Sequence, residues 1–446
     1  MSNETAVKAN KTVRVGLLGL GTVGSGVMKV LLHQQALIKE RTGYRIEVPH
    51  ILVRDPKKKR KVKVFPEQLT TDADRIVDDQ DISIVIEVMG GVEPARTILL
   101  KALRSGKHVI TANKELLAKH GSELMKAAQE SGVQLLFEAS VAGGIPVIRF
   151  LQGYLTANRV YEISGILNGT TNYILTKMEQ TGQTFAEALA EAQELGYAEA
   201  DPTDDVEGYD AAYKLAILTN LAFDVEVPVS DIFREGIKEI RPIDLGWARE
   251  FGYVIKLLAR SRKTERGIEL SVGPCLLPLS HPLARVHDVF NAVTVYSDVV
   301  GDVTLVGKGA GEYPTASAVI EDLTALLRQS GQVLRTTCWQ TSSHRCLETE
   351  SSRFFIRFTS AEQESQQLEQ QLKRVIAEWG GRVIHQVKKE ALGKENFGWI
   401  VQNLPRKRLI ELLDQASANG LLSQQPLVLP CLDQVATQSR KLASAI

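Results

Sequence analysis

The chain is short of most features that would announce a special class. Cysteine is scarce: the four, Cys275, Cys338, Cys346 and Cys431, form no C-x-x-C pair, so neither a zinc knuckle nor a redox dithiol is indicated and a reducing compartment fits. The eight histidines show no metal-ligand spacing either. Charge of one sign is missing: 53 Lys plus Arg balance 53 Asp plus Glu, so no net field draws the chain to nucleic acid or to an anionic membrane. No apolar run is long enough to span a bilayer, and the N terminus carries no charged-then-apolar leader; the expectation is a soluble, cytoplasmic protein. What remains is ordinary globular composition, 44% apolar over 446 residues, enough for two or three domains with separate cores.

The N-terminal third alternates strands and helices. Val13 to Leu18 reads as a buried parallel strand, and it runs into Gly19-Leu20-Gly21-Thr22-Val23-Gly24, after which Val27, Leu31 and Leu32 keep helical spacing. This is G-x-G-x-x-G between a strand and a helix, the setting in which it binds a dinucleotide. Gly19 allows the tight turn, Gly21 lets a pyrophosphate approach the backbone, and Gly24 lets the helix pack close; Thr22 and Val23 present N–H groups to phosphate. A second strand, Glu47 to Val53, ends in Arg54 rather than in an acid. A guanidinium there can hold a 2′-phosphate by paired hydrogen bonds, which favours NADP(H); Asp55 leaves NAD(H) open. The basic run Lys57 to Lys61 reads mostly as a solvated loop. Further strands are expected at Ile82 to Met89, Val109 to Thr111 and Val133 to Phe137, with helices from Pro94 and over Ser122 to Ser131. Lys114 then lies at the C-terminal end of a strand, where ligands of such sheets bind. Glu138 opens a Gly-rich loop, Glu138 to Pro146, which is either a carbonyl cage for a hard cation or a plain connection between domains.

The stretch Gly196 to Leu218 is an acidic, Pro-containing loop leading into a helix. Glu199, Asp201, Asp204, Asp205 and Glu207 crowd the loop, and Asp210 and Lys214 share a helix face one turn apart. Ala211, Leu215, Leu218 and Ala222 form an apolar stripe that would bury the helix. Spacing alone allows either a solvated ion pair or a fixed site for an amino-acid-like ligand.

The stretches GLGTVG, TANKELLAKHG, FEASVAGGIP, GILNGTTNYILTKM, ELGYAEADPTDDVEGYDAAYKLAIL and GAGEYPTASAVIEDL together resemble homoserine dehydrogenase, over about residues 13–330. The resemblance implies reduction of L-aspartate 4-semialdehyde to L-homoserine with NADPH or NADH, a step toward threonine, methionine and isoleucine. It implies that Glu199 and Asp210 bind the substrate, that Lys214 is the proton donor and that Lys114 stands beside the reacting carbonyl. Gly196 and Gly311 match cofactor contacts. Glu138, Val141, Gly143 and Ile145 match a sodium-binding loop. A cofactor sensor that kept the fold is the competing class, but Lys114, Glu199, Asp210 and Lys214 are all present.

The expected architecture is α/β: a Rossmann-type doubly wound parallel sheet over 12–147, an α+β substrate and dimerisation domain over 148–305, and a return helix over 306–331. A linker at 332–352 leads to a module at 353–432 and a tail at 433–446. The last module reads βαββαβ, a ferredoxin-like order resembling the ACT regulatory domain. Its first turn, Thr359 to Glu364, lacks the glycine and proline of an amino-acid-docking loop, and the glutamines at 363, 366, 367, 370 and 371 read as a solvated helix face. The implied partners are a small-molecule substrate and further copies of the chain, as a homodimer or higher homo-oligomer.

Overall fold

A computed structural model describes residues 11–328, 339, 346–347, 353–361, 365–391, 394–420, 422 and 424–432. They divide into two compact units. The first takes in residues up to 157, 213–229 and 307–343; the second takes in 158–212, 230–306 and 344 onward.

In the first unit a parallel sheet runs in the spatial order Leu69–Thr70, Ile51–Leu52, Lys11–Leu18, Ile82–Glu87, His108–Thr111, Leu135–Leu136. Helices intervene between most successive strands, although only the single turn Pro66–Gln68 lies between Ile51–Leu52 and Leu69–Thr70. The expected second strand is broken in two: Tyr44–Glu47 and Ile51–Leu52 both pair with Lys11–Leu18, and Val48, Pro49 and His50 between them fall outside the strands, although the His50 oxygen accepts from Leu17 N at 3.1 Å. Pro49 lacks the N–H that a continuous ladder would need. The helix expected from Ser122 is present, and a short one precedes it: Lys114–Glu130 is two helical pieces kinked at His120 (φ -137, ψ 18), the first capped by Asn113, which accepts from Leu116 N at 3.1 Å. Helix Glu312–Arg328 packs on helix Thr22–Thr42 where Gly26 admits it: a Cβ at Gly26 would lie 2.6 Å from the Glu312 carbonyl oxygen. Lys29 Nζ meets Glu312 Oε1 at 2.5 Å beside this contact.

The second unit holds a mixed sheet in the order Asp302–Lys308, Phe290–Ser297, Val160–Ile166, Tyr253–Thr264, Gly267–Pro278, Cys346–Leu347. Its axis is a hairpin of two twelve-residue strands, of which the sequence showed only Ile268 to Val272. The expected linker is partly structured: Cys346–Leu347 pairs with Ile268 and Glu269, and Trp339, assigned to the first unit, is buried edge-on to Phe137. Cys338 and Gln363 lie outside the described residues.

The C-terminal module has the βαββαβ order. Strands Arg382–Ala391, Lys394–Gln402, Arg353–Ala361 and Leu427–Pro430 form an antiparallel sheet, with helices Ser365–Glu378 and Arg406–Ala418. Strand alternation sorts its first strand. Phe354, Ile356 and Phe358 enter the core with Leu368, Leu409 and Trp399. Arg357, also buried, turns instead to Asp244 of helix Pro242–Glu250, in contact through Nη1 and Oδ2 at 2.5 Å. Gly398 lies under Trp247 of the same helix, with only 2.4 Å left for a Cβ. One face of the module is therefore seated on its own chain. In the turn singled out from sequence, Thr359 and Ser360 are buried in a strand that runs on to Ala361, while Glu362 to Glu364 lie outside the described residues. Gln366, Gln367, Gln370 and Gln371 are exposed, as a solvated face requires.

Candidate active site

The glycine loop has the geometry that its spacing predicts. Gly19 sits at φ 104, and a Cβ there would lie 2.8 Å from the Val88 carbonyl oxygen. A Cβ at Gly24 would lie 2.2 Å from the Gly19 oxygen, so the third glycine lets the helix start against the loop. Gly21 has no neighbouring atom within 4 Å of where a Cβ would stand, which leaves the backbone open to a ligand. Helix Thr22–Thr42 carries no acid in its first turn, so its N-terminal partial charge is uncompensated.

These groups open onto a cavity of about 710 Å³ lined by Gly19, Gly21, Arg54, Lys58, Arg60 and Gly90 among others. Arg54 is exposed at its wall. Arg60, one of the run read as a solvated loop, is half-buried instead. Its Nη2 donates to the Asp55 carbonyl oxygen at 2.5 Å, and its Nε is buried with no partner. The sequence gives no periodic signal for this, because the loop folds back on itself through Asp55.

Glu87 likewise carries no signal of its own in the sequence. It ends strand Ile82–Glu87 fully buried, accepting from Met89 N at 2.7 Å, Gly90 N at 3.2 Å and Thr111 Oγ1 at 2.6 Å. Burial pushes its carboxyl above the usual range, and these donors pull it back. Thr111 Oγ1 in turn accepts from Asn113 N at 3.0 Å, and Asn113 caps the helix that Lys114 opens. Lys119 of that helix holds its Nζ 5.5 Å from the ring centre of Tyr213, the neighbour of Lys214.

Helix Tyr209–Phe223 is buried on all sides rather than along one stripe: Ala212, Ala216 and Ile217 are as enclosed as Ala211, Leu215 and Leu218, and Ala222 is only half-buried. Asp210 and Lys214 are accordingly 4% and 8% exposed, which removes the solvated surface pair as an account of them. Asn168 anchors the acidic loop to this helix. Its Nδ2 donates to Asp205 Oδ1 at 2.6 Å and to Asp210 Oδ2 at 2.9 Å. Asp205, one of five acids in the loop, is thus brought to Asp210, while Glu199 stays exposed, its main-chain oxygen accepting from Gln193 at 3.0 Å. Gly196 sits at φ 73 in the same loop.

The loop after Phe137 is buried. Ala142 and Gly143 are both left-handed, at φ 54 and 51, and Gly143 approaches Gly309 so closely that a Cβ would lie 2.5 Å from its oxygen. Gly144 N donates to the Lys308 oxygen at 3.1 Å, and Gly311 follows at φ 124. Val141 and Ile145 are buried. The Glu138 carboxylate accepts from Ile148 N at 2.9 Å and Arg149 N at 2.8 Å, while burial and the nearby Asp322 raise its pKa to about 7. No group of three or more His, Cys, Asp or Glu side chains is placed to hold a metal among the described residues; a cation here would depend on main-chain oxygens together with the single Glu138 carboxylate.

Two family models match the chain: the homoserine dehydrogenase NAD-binding domain over residues 19–138, and homoserine dehydrogenase itself over 146–324. A homoserine dehydrogenase of Bacillus subtilis (strain 168) is 49% identical over 318 residues, 71% of this chain and 73% of the relative. The chain belongs to the homoserine dehydrogenase family. Its fold agrees at full length. The crystal structure of a homoserine dehydrogenase from Thiobacillus denitrificans superposes with a TM-score of 0.86 at 37% identity, covering 95% of this chain and 99% of that one. A hyperthermophilic archaeal homoserine dehydrogenase solved in complex with NADPH matches with a TM-score of 0.60 at 28% identity, over 73% of this chain and 100% of that one. The matched stretches contain the glycine loop, Lys114, Asn168, Asp210 and Lys214.

Proposed function

We propose that the chain reduces L-aspartate 4-semialdehyde to L-homoserine with a nicotinamide cofactor, and runs the reverse reaction, in the cytoplasmic synthesis of threonine, methionine and isoleucine. The observation that carries this reading is the burial of Asp210 and Lys214 one turn apart on helix Tyr209–Phe223, in a chain of this family. The cofactor supplies the hydride that goes to the aldehyde carbon. As that carbon is reduced, negative charge grows on the carbonyl oxygen, and Lys214 gives it a proton; in the oxidative direction Lys214 takes the proton back. Lys114 stands by as a second cation for the same oxygen. Glu199 and Asp210 attract the substrate's α-ammonium, for which an acid is needed and a lysine or arginine is useless.

Gly19, Gly21, Thr22, Val23 and Gly24 take the pyrophosphate, and Gly196, Gly311 and Lys114 make further cofactor contacts. Arg54 reads a 2′-phosphate, which favours NADP(H) over NAD(H). Its support is the wide cavity it shares with Lys58 and Arg60, all cationic. Glu138, Val141, Gly143 and Ile145 would hold a sodium ion. The two consecutive left-handed residues between them, Ala142 and Gly143, are what a chain needs to turn neighbouring carbonyls to one side. The C-terminal module is read as ACT-like in order, without an amino-acid site at Thr359 to Glu364. A homodimer or higher homo-oligomer completes the assignment.

The deciding experiment follows absorbance at 340 nm with aspartate semialdehyde and either NADPH or NADH. Turnover with NADPH at lower KM than with NADH is expected; no oxidation of either cofactor would overturn the function, and a clear preference for NADH would overturn the role of Arg54.

A further inference from the structure

The segment from Phe233 to Lys238, a two-residue strand at Phe233–Arg234 that runs into a bend and turn at Ile237 and Lys238, touches two neighbours. It is held in place from behind by the main sheet of its unit: Phe233 and Arg234 pair in parallel with Ser271 and Val272, and Glu235 N donates to the Val272 oxygen at 2.9 Å. The side chains of Phe233 and Glu235 meet the C-terminal module. Arg406, at the start of helix Arg406–Ala418, places its guanidinium 4.8 Å from the ring centre of Phe233 and its Nη2 2.5 Å from Glu235 Oε1.

Arg234, Gly236, Ile237 and Lys238 meet the substrate loop. The Arg234 guanidinium lies 3.5 Å from the ring centre of Tyr209, the residue before Asp210. Its stem covers Gly208, where a Cβ would stand 3.3 Å from Arg234 Cγ; Gly208 is at φ 80 and is the hinge between the acidic loop and the helix. Gly236 passes so close to the Val206 oxygen that a Cβ would lie 2.6 Å from it, and Ile237 N donates to that oxygen at 3.0 Å. Lys238 Nζ meets Glu207 Oε1 at 2.5 Å. Every residue from Val206 to Tyr209 is thus gripped by this one segment, immediately before the acid assigned to the substrate ammonium.

We propose that Arg234 is a positioning residue for Asp210, and that the C-terminal module, through Arg406 on Phe233 and Glu235, fixes Arg234 in that role. The module then braces the substrate site of its own chain, whatever else it binds. The inference rests on the assignment of Asp210 to the substrate. A stacked guanidinium fixes both the tilt of Tyr209 and the direction in which the first helical turn leaves Gly208. Loss of that contact lets the Asp210 carboxylate drift relative to the amide of Asn168, which weakens ammonium binding, while the glycine loop takes part in none of these contacts.

The test uses the full-length protein in the oxidative direction, with KM for homoserine and for NADP⁺ measured separately and the melting temperature recorded. Arg234→Ala should raise KM for homoserine about 3- to 30-fold, the scale of a well-packed cation–π contact, with KM for NADP⁺ changed less than about twofold. Arg234→Lys should recover part of the loss, since an ammonium over the ring keeps some attraction. Arg406→Ala should shift the same KM by a smaller factor, and in the Arg234→Ala background it should add nothing, as expected for two residues acting through one contact. Asp210→Ala is the control for the underlying assignment. If it raises KM for homoserine while Arg234→Ala does not, the positioning role is wrong and the substrate assignment stands. If Asp210→Ala leaves that KM unchanged, both are wrong. Equal rises in both KM values with a matching fall in melting temperature would reduce Arg234 to a structural residue, and fully additive effects of Arg234→Ala and Arg406→Ala would remove the module from the argument.

Discussion

Asn168 donates its side-chain amide to Asp210 Oδ2 at 2.9 Å, and the other hydrogen of the same group reaches Asp205 Oδ1 at 2.6 Å. One neutral donor therefore holds two carboxylates that would otherwise repel each other.

Asn168 has a second duty, and a substitution can separate the two. Its Oδ1 accepts from Thr171 N at 2.8 Å and caps helix Gly169–Thr181. Serine is also a good cap but is too short to reach both acids. Asn168→Ser should therefore melt within a few degrees of the parent while KM for homoserine rises about tenfold, the scale of one charge-assisted hydrogen bond. Steady-state kinetics beside a thermal melt checks this; an unchanged KM would detach the two acids from substrate binding.

Lys214→Ala should lose about 10²–10⁴ in turnover with a smaller change in KM, because proton transfer is needed only in the transition state. Lys214→Arg separates charge from proton transfer. It keeps a cation in place, yet a guanidinium does not release its proton near neutral pH. It should stay as slow as the alanine variant. Near-parental turnover in a folded Lys214→Arg protein would mean that Lys214 contributes charge alone.

Local pattern was enough for much of this molecule. The glycine loop, the alternation of strands and helices, the helix carrying Asp210 and Lys214, and the βαββαβ module were all legible, because each is a short-range arrangement of residue types. What escaped depends on residues far apart. Asn168 is 42 positions before Asp210 and looks like any helix cap. Arg60 looks like its lysine neighbours until the loop doubles back over Asp55. Glu87 reads as the polar end of an apolar strand until Met89, Gly90 and Thr111 turn their donors onto it. The short helical piece at Lys114 depends on the Asn113 cap and ends at the His120 kink, and the second strand is interrupted at Pro49; neither leaves a periodic signal.

Arg54→Ala should raise KM for NADPH by about 1.5–3 kcal/mol in binding terms, the scale of a hydrogen bond to a charged group, and leave KM for NADH nearly unchanged. Arg54 is exposed on the cavity wall, so the lost interaction is with cofactor and not with the fold. Arg60→Ala should act in the same direction. Equal losses with both cofactors would show that these cations serve the part of the cofactor that NADH and NADPH share.

Three buried carboxyls should make stability fall as the pH rises toward neutrality. Glu138 is raised to about 7, and Asp322 and Asp244 to about 6, in each case mainly by burial. In the unfolded chain such groups titrate near 4. Between those limits the folded state holds more protons, so their stabilising contribution is complete below about pH 4 and is lost as the pH rises through the folded values. A urea midpoint measured from pH 4 to pH 8 should show this decline, and Glu138→Gln, which resembles the protonated form, should flatten its upper end. Sodium should oppose the decline: a cation held by Glu138 and the carbonyls of Val141, Gly143 and Ile145 favours the carboxylate and stabilises the folded state by mass action. At pH 8 sodium chloride should therefore raise the midpoint where choline chloride at equal ionic strength does not, and Glu138→Gln should abolish the difference. If the variant responds to sodium as the parent does, the ion is not bound at this loop.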